Sequence, residues 1–335
     1  PEWLNCLTLE LASVSLKDGR EITGTCGNAA KVRVKEGLDG IASLNPGEVP
    51  PINLWMDFIE CFGDDYGLVA FNYDWRRWGD AKYAEEVLAN FRCHVETCSK
   101  VTRQKVALVG HSMGAFVTFY CMSMLGDAWS KQHISECILA GPAAVGTPAL
   151  FPSYSAGPLA TLDMIPSLLE HKLAHITSSW PCMVAEFPCG YGTVETFDLD
   201  YIFVSTPSKQ YRLKDITQFL EDTAKCGENE PGACLDFGKA LWPGVMLLSK
   251  SMKTPAVPVH LFYSSGQDTA CQWLYSSDDL STIPRATASC PGDGTITADC
   301  IERLGSAWKK EAKAAVHLHR SPPGETHSSL IKCQA

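Results

Sequence analysis

The sequence predicts an α/β fold: a parallel sheet covered by helices on both faces and interrupted by a large irregular insertion. Three observations carry that prediction. Strand-like and helix-like segments alternate from about residue 31 to residue 141 and resume near residue 255. Within the first run, a short apolar strand leads through Gly110-His111-Ser112-Met113-Gly114 straight into a helix. Between about Pro142 and residue 254 the regular periods stop and Pro, Gly and Ser accumulate. Alternation of this kind requires a sheet with helices on its faces, and an irregular block between two sheet-forming halves reads as a cap.

Taken in order, Lys31–Val34 and Gly67–Phe71 read as strands. Ala81–Val101 reads as an amphipathic helix, with Tyr83, Val87, Leu88, Phe91 and Val95 on one face. Lys105–Val109 is a β-branched apolar run, a buried strand, and Ala115–Leu125 a helix free of Gly and Pro. His133–Leu139 reads as a further strand that ends in a glycine turn. After the insertion, Val257–Tyr263 and Ala315–His319 supply two more strands. The division that follows is a discontinuous core, residues 1–141 and 255–335, with a cap over residues 142–254.

A serine on a tight strand-to-helix turn is the nucleophile elbow of an α/β-hydrolase. The turn demands small residues two before and two after the serine, and it lifts the hydroxyl to a helix N-terminus, where negative charge is favoured. Ser112 is therefore the candidate nucleophile and the Met113 N–H a candidate oxyanion donor. A serine hydroxyl needs a base, and the base needs a carboxylate to hold its tautomer. In this fold both follow the serine along the chain. Of the nine histidines, His327 fits best: it follows the last strand and a Pro322-Pro323-Gly324 turn. His317 and His319 alternate within that strand, and His111 reads as a packing residue. For the acid, Asp293 in a Gly-Asp-Gly turn competes with Asp268, and both follow strand ends.

Composition narrows the function class. The chain of 335 residues carries a formal net charge of −10 and no Lys/Arg run, which excludes a nucleic-acid partner. Fifteen cysteines point to an oxidising, secreted or lumenal compartment, with Cys93/Cys98, Cys182/Cys189 and Cys226/Cys234 as close pairs and one thiol left over. The longest uncharged span, Cys137–Leu162, is too rich in Gly and Pro to cross a membrane. No metal or cofactor motif occurs.

A set of ordered motifs goes further. Ala70-Phe-Asn-Tyr-Asp-Trp-Arg76, Val109–Gly114, Leu139–Pro148, Thr177-Ser-Ser-Trp-Pro181, Val204–Ser208, Gly292–Ile296 and His327 together resemble the lecithin:cholesterol acyltransferase family. That family includes lysosomal phospholipase A2 and phospholipid:diacylglycerol acyltransferase. The resemblance implies Ser112 as nucleophile, Asp293 as acid and His327 as base, with Tyr73, Asp74 and Arg76 as a structural clamp. It implies attack on a glycerophospholipid ester, an acyl-enzyme on Ser112, and transfer to a sterol, a diacylglycerol or water. Such transfer needs a dry path under the cap, for which Leu159–Leu169, Leu241–Leu248, Trp180 and Trp242 are candidates, ordinary cap core being the alternative.

Other expectations come from the same source. The family's first strand, whose turn supplies a second oxyanion amide, has no match ahead of Lys31, so a second chain or cleaved N-terminal fragment is expected to provide it. A disulfide joining the strand at Leu261 to Cys300 is common in the family; here Cys271 or Cys290 is left as the partner of Cys300. Trp3, Leu4 and Leu7 suggest peripheral contact with a membrane or lipid surface. The rival readings are a neutral-lipid esterase and a silent lipid-binding relative with half an oxyanion hole.

Overall fold

The computed structural model describes residues 34–42, 53–157, 180–190, 192, 194–226 and 236–332, with the backbone of 14–15 and 21–22. Four strands form the central sheet: β1 (Val106–His111), β2 (Ile134–Ala140), β5 (Val259–Tyr263) and β8 (Val316–Arg320). They are all parallel, in the spatial order β8-β5-β2-β1. Gly110, Leu139, Leu261 and Leu318 lie in one row across them. All four carboxyl ends fall on one side of the sheet, where open α/β sheets build their sites.

Helices α1 (Met56–Phe62), α2 (Ala81–Thr102), α3 (Met113–His133) and α8 (Ala298–Glu311) accompany this sheet. Helix α2 begins at Asp80, whose carboxylate accepts from Lys82 N (2.9 Å) and Tyr83 N (3.3 Å). Its buried stripe is Ala84, Val87, Phe91 and Val95, with Tyr83 and Leu88 packed at the margin. Helix α3 is apolar nearly all round and is buried from Ala115 to Met122. Edge-on rings lock it to its neighbours: Trp78 on Phe116 and Tyr120, and Phe119 on Trp308 of α8.

Three expectations need correction. Gly67–Phe71 pairs with no other strand among the described residues and instead leads into the Tyr73–Arg76 motif. The elbow helix does not stop near Leu125: it runs to His133, kinking at Gly126, which absorbs a φ of 85°. A second sheet also went unread. It contains β3 (Ile202–Ser205), β4 (Gln210–Arg212), β6 (Gln267–Leu274) and β7 (Arg285–Gly292), in the order β4-β3-β6-β7. Strand β3 lies between residues 142 and 254 and pairs in parallel with β6, which lies beyond them, so the two regions share a sheet.

Helices α4 (Leu150–Ala156), α5 (Pro181–Ala185), α6 (Ile216–Cys226) and α7 (Asp236–Ser251) belong to the 142–254 region. Phe151, Phe187, Phe203 and Phe219 form its aromatic centre, with ring separations of 4.6 to 5.1 Å from Phe151. Among the described residues the disulfide is Cys271–Cys290, between β6 and β7, so Cys300 is free and bonded instead to Thr297 and the Thr196 carbonyl. Cys93, Cys98, Cys182 and Cys189 are free thiols. Cys93 and Cys98 are five residues apart on a helix and point to different faces, while the Cys189 thiol donates to Ser249 Oγ. Cys234, Lys31, Trp3, Leu4, Leu7 and Leu159–Leu169 lie outside the described residues. No described helix is long and apolar enough to cross a membrane.

Candidate active site

Ser112 sits at φ 53°, ψ −122°, one of three described non-glycine residues with positive φ. Strain of this kind persists only where the surroundings enforce it. Here Ser112 N donates to Ala140 O (2.9 Å), and its carbonyl accepts from Ala115 N, Phe116 N and Ala143 N. Gly110 is obligatory, since a Cβ there would stand 2.7 Å from Ala115 Cα. Gly114 is less constrained than the motif implied: its Cβ would meet only Tyr73 Oη, at 4.0 Å. Met113 opens helix α3, so its N–H has no intrahelical acceptor and points toward the helix N-terminus.

Asp293 and His327 are brought together. The His327 Nδ1–H donates to Asp293 Oδ2 at 2.8 Å, and His327 N donates to the Asp293 carbonyl at 2.8 Å. Asp293 is buried, at 2% exposure, and Oδ1 accepts from Thr295 N (2.9 Å) and Ile296 N (2.7 Å). Burial pushes its carboxyl up, but the His327 hydrogen bond and charge, with those two amides, hold it below the ordinary carboxylate range. Because the carboxylate can only accept, the His327 proton lies on Nδ1 and the lone pair on Nε2. That Nε2 is buried and has no hydrogen-bond partner among the described residues, so no bond to Ser112 Oγ is formed. Asp268, the rival acid, is exposed on β6.

Two residues bring this pair to the elbow. Gly141 (φ 49°) follows β2, and a Cβ there would lie 2.9 Å from His327 Cε1 and Nδ1 and 3.2 Å from Asp293 Oδ2. His111 donates from Nε2 to the His327 carbonyl (2.7 Å), with the two rings 4.7 Å apart. Burial, reinforced by His327, pushes the His111 pKa down to about 3, so it is a neutral strut. His317 and His319 stack with His260 on the sheet, away from the Asp293 turn. The glycine turn was visible in the sequence; its role was not.

The Tyr73–Arg76 motif is a clamp. Arg76 grips Asp74 through Nε (2.8 Å) and Nη2 (2.9 Å), and Tyr83 Oη accepts from Asp74 N (2.6 Å). Trp180 stands half-buried against Trp75, ring centroids 5.1 Å apart, with its indole N–H unpartnered. Trp242 is buried on α7 beside Phe187. Among the described residues no cluster of His, Cys, Asp and Glu has metal-binding geometry.

The family model of lecithin:cholesterol acyltransferase matches residues 17–253. A phosphatidylcholine-sterol acyltransferase of Gallus gallus is 25% identical over 254 residues, which cover 76% of this chain and 57% of that protein. A lysosomal phospholipase A and acyltransferase of Canis lupus familiaris is 27% identical over 263 residues, covering 77% of this chain and 58% of that protein. The chain thus spans a little over half the length of these relatives. In fold, it is similar to a chain in the crystal structure of the Tle4-Tli4 complex, with 12% identity and a TM-score of 0.51, covering 77% of this chain and 64% of that one.

Proposed function

This chain belongs to the lecithin:cholesterol acyltransferase family, and from that premise we propose that it is a serine-dependent phospholipase and acyltransferase. The observation that carries the proposal is the pairing of a strained Ser112 elbow with the buried Asp293–His327 couple beside Gly141. The family match ends at residue 253, so the roles of Asp293 and His327 rest on this geometry.

In the mechanism we assign, the free Nε2 of His327 takes the proton of Ser112 Oγ as the oxygen attacks the acyl carbonyl of a glycerophospholipid. Asp293 fixes the tautomer and stabilises the imidazolium that forms. The Met113 N–H at the start of α3 donates to the oxyanion, aided by the positive end of the helix. Collapse expels the lysophospholipid alcohol, which takes the proton back from Nε2, and leaves an ester on Ser112. The acceptor, a lipid alcohol such as a sterol or diacylglycerol, or water, then repeats the sequence in reverse. Trp180 and Trp242, carried by the packed helices α5 and α7, are assigned to the wall of the acyl path in the 142–254 cap. The Cys271–Cys290 disulfide supports a secreted or lumenal setting, and the enzyme acts at the surface of lipid aggregates.

Product analysis tests the reading. Incubation with labelled phosphatidylcholine and either cholesterol or diacylglycerol is expected to yield a new ester as well as free fatty acid. Free fatty acid alone would remove the transferase half of the proposal, and neither product would remove both.

A further inference from the structure

The segment behind the elbow is held by a residue the mechanism does not use. Ala143 N donates to the Ser112 carbonyl (3.2 Å), so residues 143–147 form part of the seat of the strained serine. Thr196 Oγ donates to Val145 O (2.7 Å), and Gly146, at φ 95°, approaches Pro188 so closely that a Cβ would stand 2.5 Å from its Cα. Thr147 N then donates to the carbonyl of Glu186 (2.9 Å), the residue that closes helix α5.

The Glu186 side chain is an anomaly in this seat. It is 8% exposed, its Oε1 is buried without a partner among the described residues, and so is the hydroxyl of Thr147 bonded to its backbone. Buried polar atoms are rarely left unpaired, and a buried carboxylate without a cation is expensive. Among the described residues, the groups around it bring no unpaired positive charge to offset that cost. Tyr73 faces it from the 71–74 segment, Cys182 from its own helix, and Cys121 of α3 lies across Tyr73. Arg76 is committed to Asp74 in a bidentate pair.

We propose that Glu186 is a positioning residue for Ser112, holding the 143–147 seat only while its carboxyl is neutral. Forming the carboxylate places an unpaired charge between Tyr73 and the seat, and the residues that anchor the Ser112 carbonyl give way. Burial raises the Glu186 pKa to about 8. The sign follows. The stability contributed by the neutral carboxyl is complete below the unfolded carboxyl range and falls as pH rises from there to about 8. In that interval one group changes the folding constant by about tenfold per pH unit. Reactivity of Ser112 is retained up to about pH 8 and is lost above it.

This inference rests on Ser112 being the nucleophile, and the test separates the two. The rate at which a fluorophosphonate probe labels Ser112 is measured from pH 5 to 9.5 in the wild type and in Glu186→Gln. In the wild type the rate should fall about tenfold from its maximum to one pH unit above the midpoint of the alkaline limb. In Glu186→Gln the acidic rate should be kept and that limb removed, with a flatter dependence of Tm on pH. Should the Gln variant not accumulate folded, Glu186→Met carries the same comparison. Labelling that shows no limb near pH 8, or a limb shared by the variant, overturns the role of Glu186 and leaves the nucleophile intact. Absence of labelling at every pH overturns both.

Discussion

At the residue scale, the proposed chemistry depends on a few backbone positions as much as on the three side chains assigned to it. Gly141 is the sharpest case, because it lies where the elbow, Asp293 and His327 converge. Gly141→Ala forces a Cβ against the imidazole at a φ that costs an L-residue roughly 1–2 kcal/mol. We expect the protein to fold and its kcat/KM to fall by about 10², the usual penalty for misplacing a catalytic group by about 1 Å. Ester-hydrolysis kinetics beside a thermal melt check this; a stable variant with unchanged kcat/KM would refute it. The sequence offers Ser112 as a candidate nucleophile through its elbow, and leaves Asp293 in competition with Asp268 until the family resemblance favours it. It gave no sign that Gly141 must be bare or that His111 braces the His327 carbonyl. Both depend on contacts between strands far apart in the chain, which no local pattern encodes.

At the scale of elements, the legible parts are those whose burial is written as an apolar pattern. Helix α2 has its stripe every three to four residues and an Asp80 cap, and the strands β1 and β5 are mostly apolar. The cap makes a testable contribution: Asp80→Ala removes two hydrogen bonds to the first turn. It should destabilise the protein by about 1 kcal/mol, as read by denaturant midpoint, with Asp80→Asn recovering most of the loss. Strand β7, Arg-Ala-Thr-Ala-Ser-Cys-Pro-Gly, is mostly exposed and small, so it has no apolar face to read. Its partner β6 is likewise broken by register shifts. Gly67–Phe71 errs the other way: its apolar residues serve the approach to the Tyr73–Arg76 clamp instead of a ladder.

At the scale of the whole molecule, a parallel sheet sets the carboxyl ends of its strands side by side, and the elbow, Gly141 and the His327 loop all emerge there. The second sheet supplies Asp293 at the end of β7, so Asp293 and His327 come from different sheets and meet through two hydrogen bonds of 2.8 Å. Strand β3 of the same sheet ties the 142–254 region to this framework. Glu186 and Thr147 link that region back to the elbow. The 142–254 region is therefore joined to Ser112 through backbone hydrogen bonds. The central claim is that an acyl group passes through Ser112. Acid quenching of the enzyme in the presence of phosphatidylcholine with a labelled acyl chain, followed by peptide mass spectrometry, tests it directly. The account predicts a fatty acyl ester on the peptide containing Ser112, absent in Ser112→Ala, whose turnover should drop by on the order of 10⁶. Turnover without an adduct on Ser112, or an active Ser112→Ala enzyme, would contradict it.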